Sequence, residues 1–204
     1  MKANELRMTF DPATIEDLGI RMYSTLPPVL SELIANAHDA DASRVEISLK
    51  DGGGKKEIVV TDNGDGMSFG EINEKFLRIG RKRRDVERRQ KTAKGRKIIG
   101  KKGLGKLSFF GIAQEIEVVT IKDGRENAFA MKWKDIKGCS EPEYRPRILR
   151  KDVRCSSNRH GTTFTLRGVK RESDFDPEGL AITLSKIFIV DRTFRVTIRH
   201  NSSG

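Results

Sequence analysis

Apolar residues recur every three or four positions through VLSELIANAHDA, residues 29–40, and this spacing predicts a helix opening just behind Pro27 and Pro28. Proline is tolerated there because the first-turn N–H groups of a helix have no partner within the helix. The pattern then changes to alternation. In RVEISLK, Val45, Ile47 and Leu49 share one face, as in a strand, and EIVVTD reads as a second strand after the turn DGGGKK. Residues 44–62 are therefore expected to form a β-hairpin. Ser68 stands three residues before Glu71, the spacing of a capping box, and opens a helix through Phe69, Ile72, Phe76 and Ile79.

Shorter helices are expected over residues 14–25 and in KLSFFGIA. Three strands follow, EIEVVTIK, ENAFAMKWK and TTFTLRG, with the Pro- and Arg-containing stretch before the last read as a connection. DPEGLAITLSKIF forms a helix that Asp176 can cap ahead of Pro177, and RTFRVTIRH a strand with Phe194, Val196 and Ile198 on one face. Helix, hairpin, helix and then mainly antiparallel strands predict an α+β fold. The expected architecture is a two-layer sandwich with a mixed, mainly antiparallel sheet and helices on one face. One domain is expected over residues 1–204, with a core at 14–170 and a C-terminal helix and strand at 171–204 leading towards a further domain.

Composition narrows the class. The chain has 204 residues, of which 36% are hydrophobic and 34% charged, enough for one packed domain. No apolar run approaches the roughly 20 residues that span a bilayer, and MKANELRMTF lacks the apolar segment of a signal peptide. A soluble, cytoplasmic protein is expected. Cys139 and Cys155 make neither a disulfide framework nor a metal site, and the three histidines show no ligand spacing. The net charge of +11 is concentrated: residues 81–102 hold 12 Lys and Arg against two acids, leaving about +1 for the remainder. That segment reads as a solvated loop, or as one that meets the phosphates of a nucleotide or of nucleic acid.

Four stretches carry candidate chemistry. On the first helix Glu32, Asn36 and Asp39 fall on one surface beside an apolar flank, and residues 26–40 contain no Lys or Arg. An acid one turn from an amide suits a hard cation and an activated water. The hairpin runs into Asp62-Asn63-Gly64-Asp65-Gly66-Met67, where two glycines permit a tight turn and the approach of a flat ligand. A carboxylate at the strand end can accept from an exocyclic amine, with Met67 as an adaptable apolar contact. A calcium loop is disfavoured because its ligand spacing and distal Glu are missing. The stretch from Gly100 to Ser108 nearly matches a P-loop, yet Leu107 stands where the Mg²⁺-binding hydroxyl belongs and no buried strand precedes it. It still suits a glycine-rich lid over phosphates. Gly161-Thr162-Thr163 opens a strand and by itself is weak turn punctuation.

In order and spacing these four elements resemble the GHKL ATPase superfamily, named for gyrase, the heat-shock chaperone, histidine kinases and MutL. ELIANAHDA is similar to its N box, DNGDGM to its D-x-G-x-G box, GKKGLGKLS to its second glycine box and GTTF to its GT box. The resemblance spans about residues 28–168 and implies a Bergerat-type fold with ATP under a lid at 81–102. It implies Glu32 as the general base, Asn36 as the Mg²⁺ ligand and Asp62 as acceptor for the adenine amino group. Gly64, Gly66 and Met67 would form the adenine pocket, and Gly103, Leu104, Gly105 and Lys106 would meet the phosphates. Thr162 or Thr163 would support the base, a choice left open. The nearest likeness is to chaperone-like and microrchidia-like ATPases. It implies slow Mg-dependent ATP hydrolysis that drives conformational change and homodimerisation in a larger protein, with DNA or chromatin as a partner and no membrane. A histidine-kinase catalytic domain and a nucleic-acid-binding module regulated by nucleotide are the alternatives.

Overall fold

The computed structural model describes residues 8–9, 25–52, 55–77, 91–100, 109–138, 143–188 and 193–202. Two residues at each of Met8–Thr9 (β1) and Glu143–Tyr144 (β6) pair antiparallel as a small separate sheet. The main sheet has seven strands in the order β7-β5-β4-β8-β3-β2-β9. These are β2 (Arg44–Gly52), β3 (Lys55–Asp62), β4 (Glu115–Lys122), β5 (Arg125–Lys132), β7 (Arg147–Arg154), β8 (Gly161–Arg167) and β9 (Arg195–Ser202). Every neighbouring pair is antiparallel except β2 with β9, so the sheet is mixed and mainly antiparallel, and the fold is α+β as expected.

Register explains the layering. Ile47, Val60, Phe164, Val118 and Phe129 lie opposite one another in successive strands, a row of apolar side chains on one face. Against that face pack helix α1 (Leu26–Asp39), through Leu30, Leu33 and Ile34, and the short helix α3 (Phe109–Ile112), through Phe109 and Phe110. Phe109, Phe110 and Phe129 are each 0% exposed, and burying one such ring contributes on the order of 2–3 kcal/mol. Phe164 centres the cluster, with ring centroids of Phe76 and Phe109 at 5.7 and 6.0 Å. Asp176 accepts the Gly179 N–H at 2.9 Å and starts helix α5 (Pro177–Ile187) where the sequence places it.

Three local expectations change. The Ser68–Glu71 capping box forms, with both reciprocal bonds present, but α2 (Phe69–Glu71) continues as a π-helix over Ile72–Leu77. Ile72, Phe76 and Leu77 within this wider i→i+5 turn are all buried. The strand ENAFAMKWK stops at Lys132, and Trp133 begins a short helix, α4 (Trp133–Lys137). The stretch read as a connection contains β7, an edge strand whose residues are nearly all exposed. With so little of it buried, the strand carries no apolar alternation to announce it. The expected helix at 14–25 lies, up to residue 24, outside the described residues, as does Ile79.

Candidate functional site

Asp62 is the last residue of β3, and its carboxylate is the centre of the site. One oxygen, Oδ1, accepts the Gly64 N–H at 2.7 Å and the Thr162 N–H at 3.3 Å. The other, Oδ2, accepts no hydrogen bond from the described residues. Burial pushes the Asp62 carboxyl up to about 6, against the two amides and the neighbouring His160, which lower it. A half-buried acid with one oxygen fixed and the other unclaimed by any described residue is suited to accept a further donor.

The turn after Asp62 is shaped by main-chain packing. Gly66 has φ +66, and a Cβ there would stand 2.0 Å from the Ile121 carbonyl oxygen. Gly161 has φ +117, and a Cβ there would stand 2.1 Å from the carbonyl oxygen of Asp62. The sequence suggested that glycines here let a ligand approach; the structure gives a nearer reason, the approach of the strands and turns to one another. Asn63 Oδ1 accepts the N–H groups of Ser43 and Arg44 at 3.0 and 2.8 Å, and Asp65 N–H donates to Ala40 O at 2.8 Å. The loop is thereby stitched to the end of α1.

Thr162 is buried on the Asp62 side of the sheet, whereas Thr163 faces the opposite side and meets Thr61 across the strands at 3.2 Å between hydroxyls. Of the two threonines left open in the sequence, Thr162 is the one placed beside Asp62. A residue that sequence reasoning missed completes this floor. Thr120 is 0% exposed, accepts the Met67 N–H at 2.8 Å and lies 3.1 Å from the Thr162 hydroxyl. The signal was present in EIEVVTIK, where Ile116, Val118 and Thr120 share the inward face and the third is polar. His160 donates from Nδ1 to the Gly64 carbonyl at 2.9 Å, at the rim.

Glu32 and Asn36 are half-buried one turn apart on α1. The Asn36 side-chain amide makes no hydrogen bond with the described residues, and its oxygen is of the type a hard cation takes. No group of three His, Cys, Asp or Glu side chains among the described residues could hold a metal, so an ion at Asn36 would need oxygens from its ligand.

Asp39, grouped with them in the sequence, is used differently: its carboxylate accepts the N–H groups of Ile99 and Gly100 at 3.0 and 2.9 Å. Asp41, 2% exposed and at φ 58, accepts from the Thr92 hydroxyl at 2.5 Å and from the Lys94 N–H at 3.0 Å. Burial opposes the Asp41 charge, but these bonds and the Lys94 and Arg96 charges outweigh it and hold the carboxyl below its ordinary value. Arg96 donates to the Ala42 carbonyl and, at 3.2 Å, to the Thr193 carbonyl, with its guanidinium 5.9 Å from the Phe194 ring centre. Lys94 and Arg96 are thus engaged by the fold, where the sequence offered the whole basic segment to phosphates. Gly103, Leu104, Gly105 and Lys106, and the basic residues 81–90, lie outside the described residues.

The remaining histidines are tied into the fold, His38 edge-on to Phe194 at 5.4 Å and His200 Nε2 2.8 Å from Asp51 Oδ2. No helix among the described residues is long and apolar enough to cross a membrane.

Comparison with known proteins adds an independent line. Residues 23–162 match the family described as histidine kinase-, DNA gyrase B-, and HSP90-like ATPase. A protein of Herpetosiphon aurantiacus named as a type II restriction enzyme, HgiDII, is 35% identical over 193 residues, covering 93% of this chain and 30% of that protein. The chaperone protein HtpG of Rhodococcus jostii (strain RHA1) is 27% identical over 149 residues, 62% of this chain and 23% of its own. The DNA mismatch repair protein MutL of Rhodopseudomonas palustris (strain HaA2) is 48% identical over 44 residues, 22% of this chain and 7% of its own. The chain spans less than a third of the length of each of these relatives.

Proposed function

The chain belongs to the histidine kinase-, DNA gyrase B- and HSP90-like ATPase family, and from that premise we propose that it binds Mg·ATP over Asp62 and α1 and hydrolyses it slowly. The observation that carries this reading is the Asp62 carboxylate, fixed through one oxygen and unclaimed at the other. The adenine amino group donates to that free oxygen, which adds a charge-assisted hydrogen bond of about 1.5–3 kcal/mol. Gly64 and Gly66 hold the turn that carries Met67 to the base, and the Thr162 hydroxyl, oriented by Thr120, supports the same edge. Gly103, Leu104, Gly105 and Lys106 meet the phosphates.

Asn36 is the protein's ligand to Mg²⁺, which supplies neutralisation of phosphate charge when bound. Glu32, one turn earlier, positions the attacking water and accepts its proton. In the longer protein the domain acts as an ATP-driven conformational and dimerisation module. Two relatives carry names of DNA-acting proteins, which supports DNA as the substrate of the whole protein.

Calorimetry with Mg·ATP and a phosphate-release assay test this. Asp62→Asn should weaken ATP binding about 10- to 100-fold. Glu32→Ala should bind ATP within a few-fold of wild type while turnover drops about 10²- to 10⁴-fold. Unchanged ATP affinity in the Asp62 variant would refute the base-binding role, and normal turnover in the Glu32 variant would refute the mechanism.

A further inference from the structure

The sequence places nearly all of the positive charge in residues 81–102, but the fold exposes a second concentration that the average conceals. Residues 145–159 contain Arg145, Arg147, Arg150, Lys151, Arg154 and Arg159 against a single acid, Asp152. With that local +5 and the +10 of residues 81–102 set aside, the rest of the chain carries −4. The charge is therefore polarised, and the second pole is the β7 edge and the loop behind it.

Geometry turns this into a surface. Among the described residues β7 pairs only with β5, which leaves its outer side as an open sheet edge. Arg147 and Arg150 lie opposite Ala130 and Ala128, on the face away from the core, whereas Ile148 lies opposite Phe129 on the core face. A bulge follows: Asp152 sits at φ 49, its N–H donated to the buried Asn127 Oδ1 at 2.8 Å. Arg150 and Arg159 share one counter-ion, Glu126. Arg147 and Arg154 are exposed, and among the described residues their guanidinium groups have no ion pair or hydrogen bond.

Lysines and bulges on an edge strand ordinarily serve to block strand-to-strand aggregation. Here the cations are predominantly arginine, whose planar fork matches phosphate oxygens in pairs, and two of them are left uncompensated. A membrane surface fits poorly, because the exposed apolar residues Ile148 and Val153 lie opposite Phe129 and Glu126, on different faces, and form no common apolar plane. A second copy of the same edge is repelled by its like charge.

We propose that the β7 edge, centred on Arg147, Arg150 and Arg154, is a docking surface for the sugar-phosphate backbone of nucleic acid. Arg147 and Arg150 stand on one face of the sheet, and beyond the bulge Arg154 lies opposite Arg125 on the other, so the cations flank the open edge from both sides of a phosphodiester chain laid along it. Contacts of this kind position the nucleic acid without reading its sequence.

The test uses the full chain with fluorescent duplex and single-stranded DNA of arbitrary sequence, titrated from about 50 to 200 mM salt. Arg147→Gln with Arg154→Gln removes only the two unpaired cations. Duplex affinity at low salt should fall roughly tenfold and the log–log salt slope should decrease by about 2. Arg147→Glu with Arg154→Glu should lower affinity further, with thermal unfolding unchanged in both variants. A companion variant, Arg81→Ala with Arg83→Ala and Arg88→Ala, locates the site. If only that variant changes the slope, the edge is not the surface. Equal displacement of DNA by polyglutamate at matched charge would show an acidic-protein site instead. Loss of binding to anionic phospholipid vesicles without any effect on DNA would show a membrane site. Absence of DNA binding by wild type at 50 mM salt also overturns the proposal.

Discussion

Two carboxylates a few residues from the same loop behave in opposite ways. Asp41, at the end of α1, is saturated: a hydroxyl, a backbone N–H and two neighbouring cations hold it ionised. Asp62, at the exit of β3, is half-buried with two amides on one oxygen and no described residue on the other, and its carboxyl is pushed up to about 6. The first stabilises the fold by being charged; the second destabilises it by being charged. A carboxylate whose partners are all internal is a structural device, whereas one left half-satisfied is a candidate for ligand binding.

The sharpest way to break that contrast is at Asp41. Asp41→Ala removes the acceptor for Thr92 and Lys94 and places alanine at positive φ, so unfolding free energy should fall by about 3 kcal/mol. Asp41→Asn tolerates the backbone and should lose about half as much, both read by chemical denaturation at pH 7. The wild-type contribution is present above the ordinary aspartate value near 3.8 and is lost as pH falls through the lowered folded value.

Asp62→Asn should move stability the other way. The folded-state value is raised from 3.8 to about 6, so the penalty is absent at pH below 3.8 and fully present above about 6. The variant should therefore gain about 2 kcal/mol at pH 8 and nothing near pH 3.5, while losing nucleotide affinity. A loss of stability at pH 8 would mean that Asp62 is structural after all.

Thr120 sharpens the contrast from the protein side. Thr120→Val strands the Met67 N–H and should cost about 1–2 kcal/mol, with a higher KM for ATP and little change in kcat. Thr120→Ser keeps the hydroxyl and should restore KM; failure of serine to rescue would assign Thr120 to packing alone.

The smallest effect is expected at Glu71. Burial opposes its charge, but Lys122, Lys75 and the Ser68 N–H overcome that and hold the carboxyl at about 2. With solvent screening, Glu71→Gln should cost about 1 kcal/mol at neutral pH, a difference that vanishes as pH falls through about 2.

Much of the fold was legible because the residues concerned obey local rules. The hairpin at 44–62, the Ser68–Glu71 box, the Asp176 cap and the strand Arg195–Ser202 follow from alternation and capping chemistry within a few neighbours. Strand β7 did not, because so few of its residues are buried that no periodic apolar signal marks it. The π-helical turn at Ile72–Leu77 carries Phe76 onto Phe129 and Phe164, contacts far away in sequence that local periodicity does not encode.

The same division runs through the candidate site. The amino-acid sequence by itself determined which residue types stand at which spacing: an acid and an amide one helical turn apart, a carboxylate ending a strand, and glycines where only glycine fits. Tertiary structure alone decided which side of the sheet Thr162 faces, that Thr120 lies beneath it, and that Asp39 and Asp41 are occupied by residues 92–100. It also decided that no described residue claims the second oxygen of Asp62. Spacing fixes geometry over a turn or a strand, but hydrogen-bond saturation and burial depend on segments brought together from 50 to 100 residues away, as Lys94 meets Asp41 and Thr162 meets Asp62.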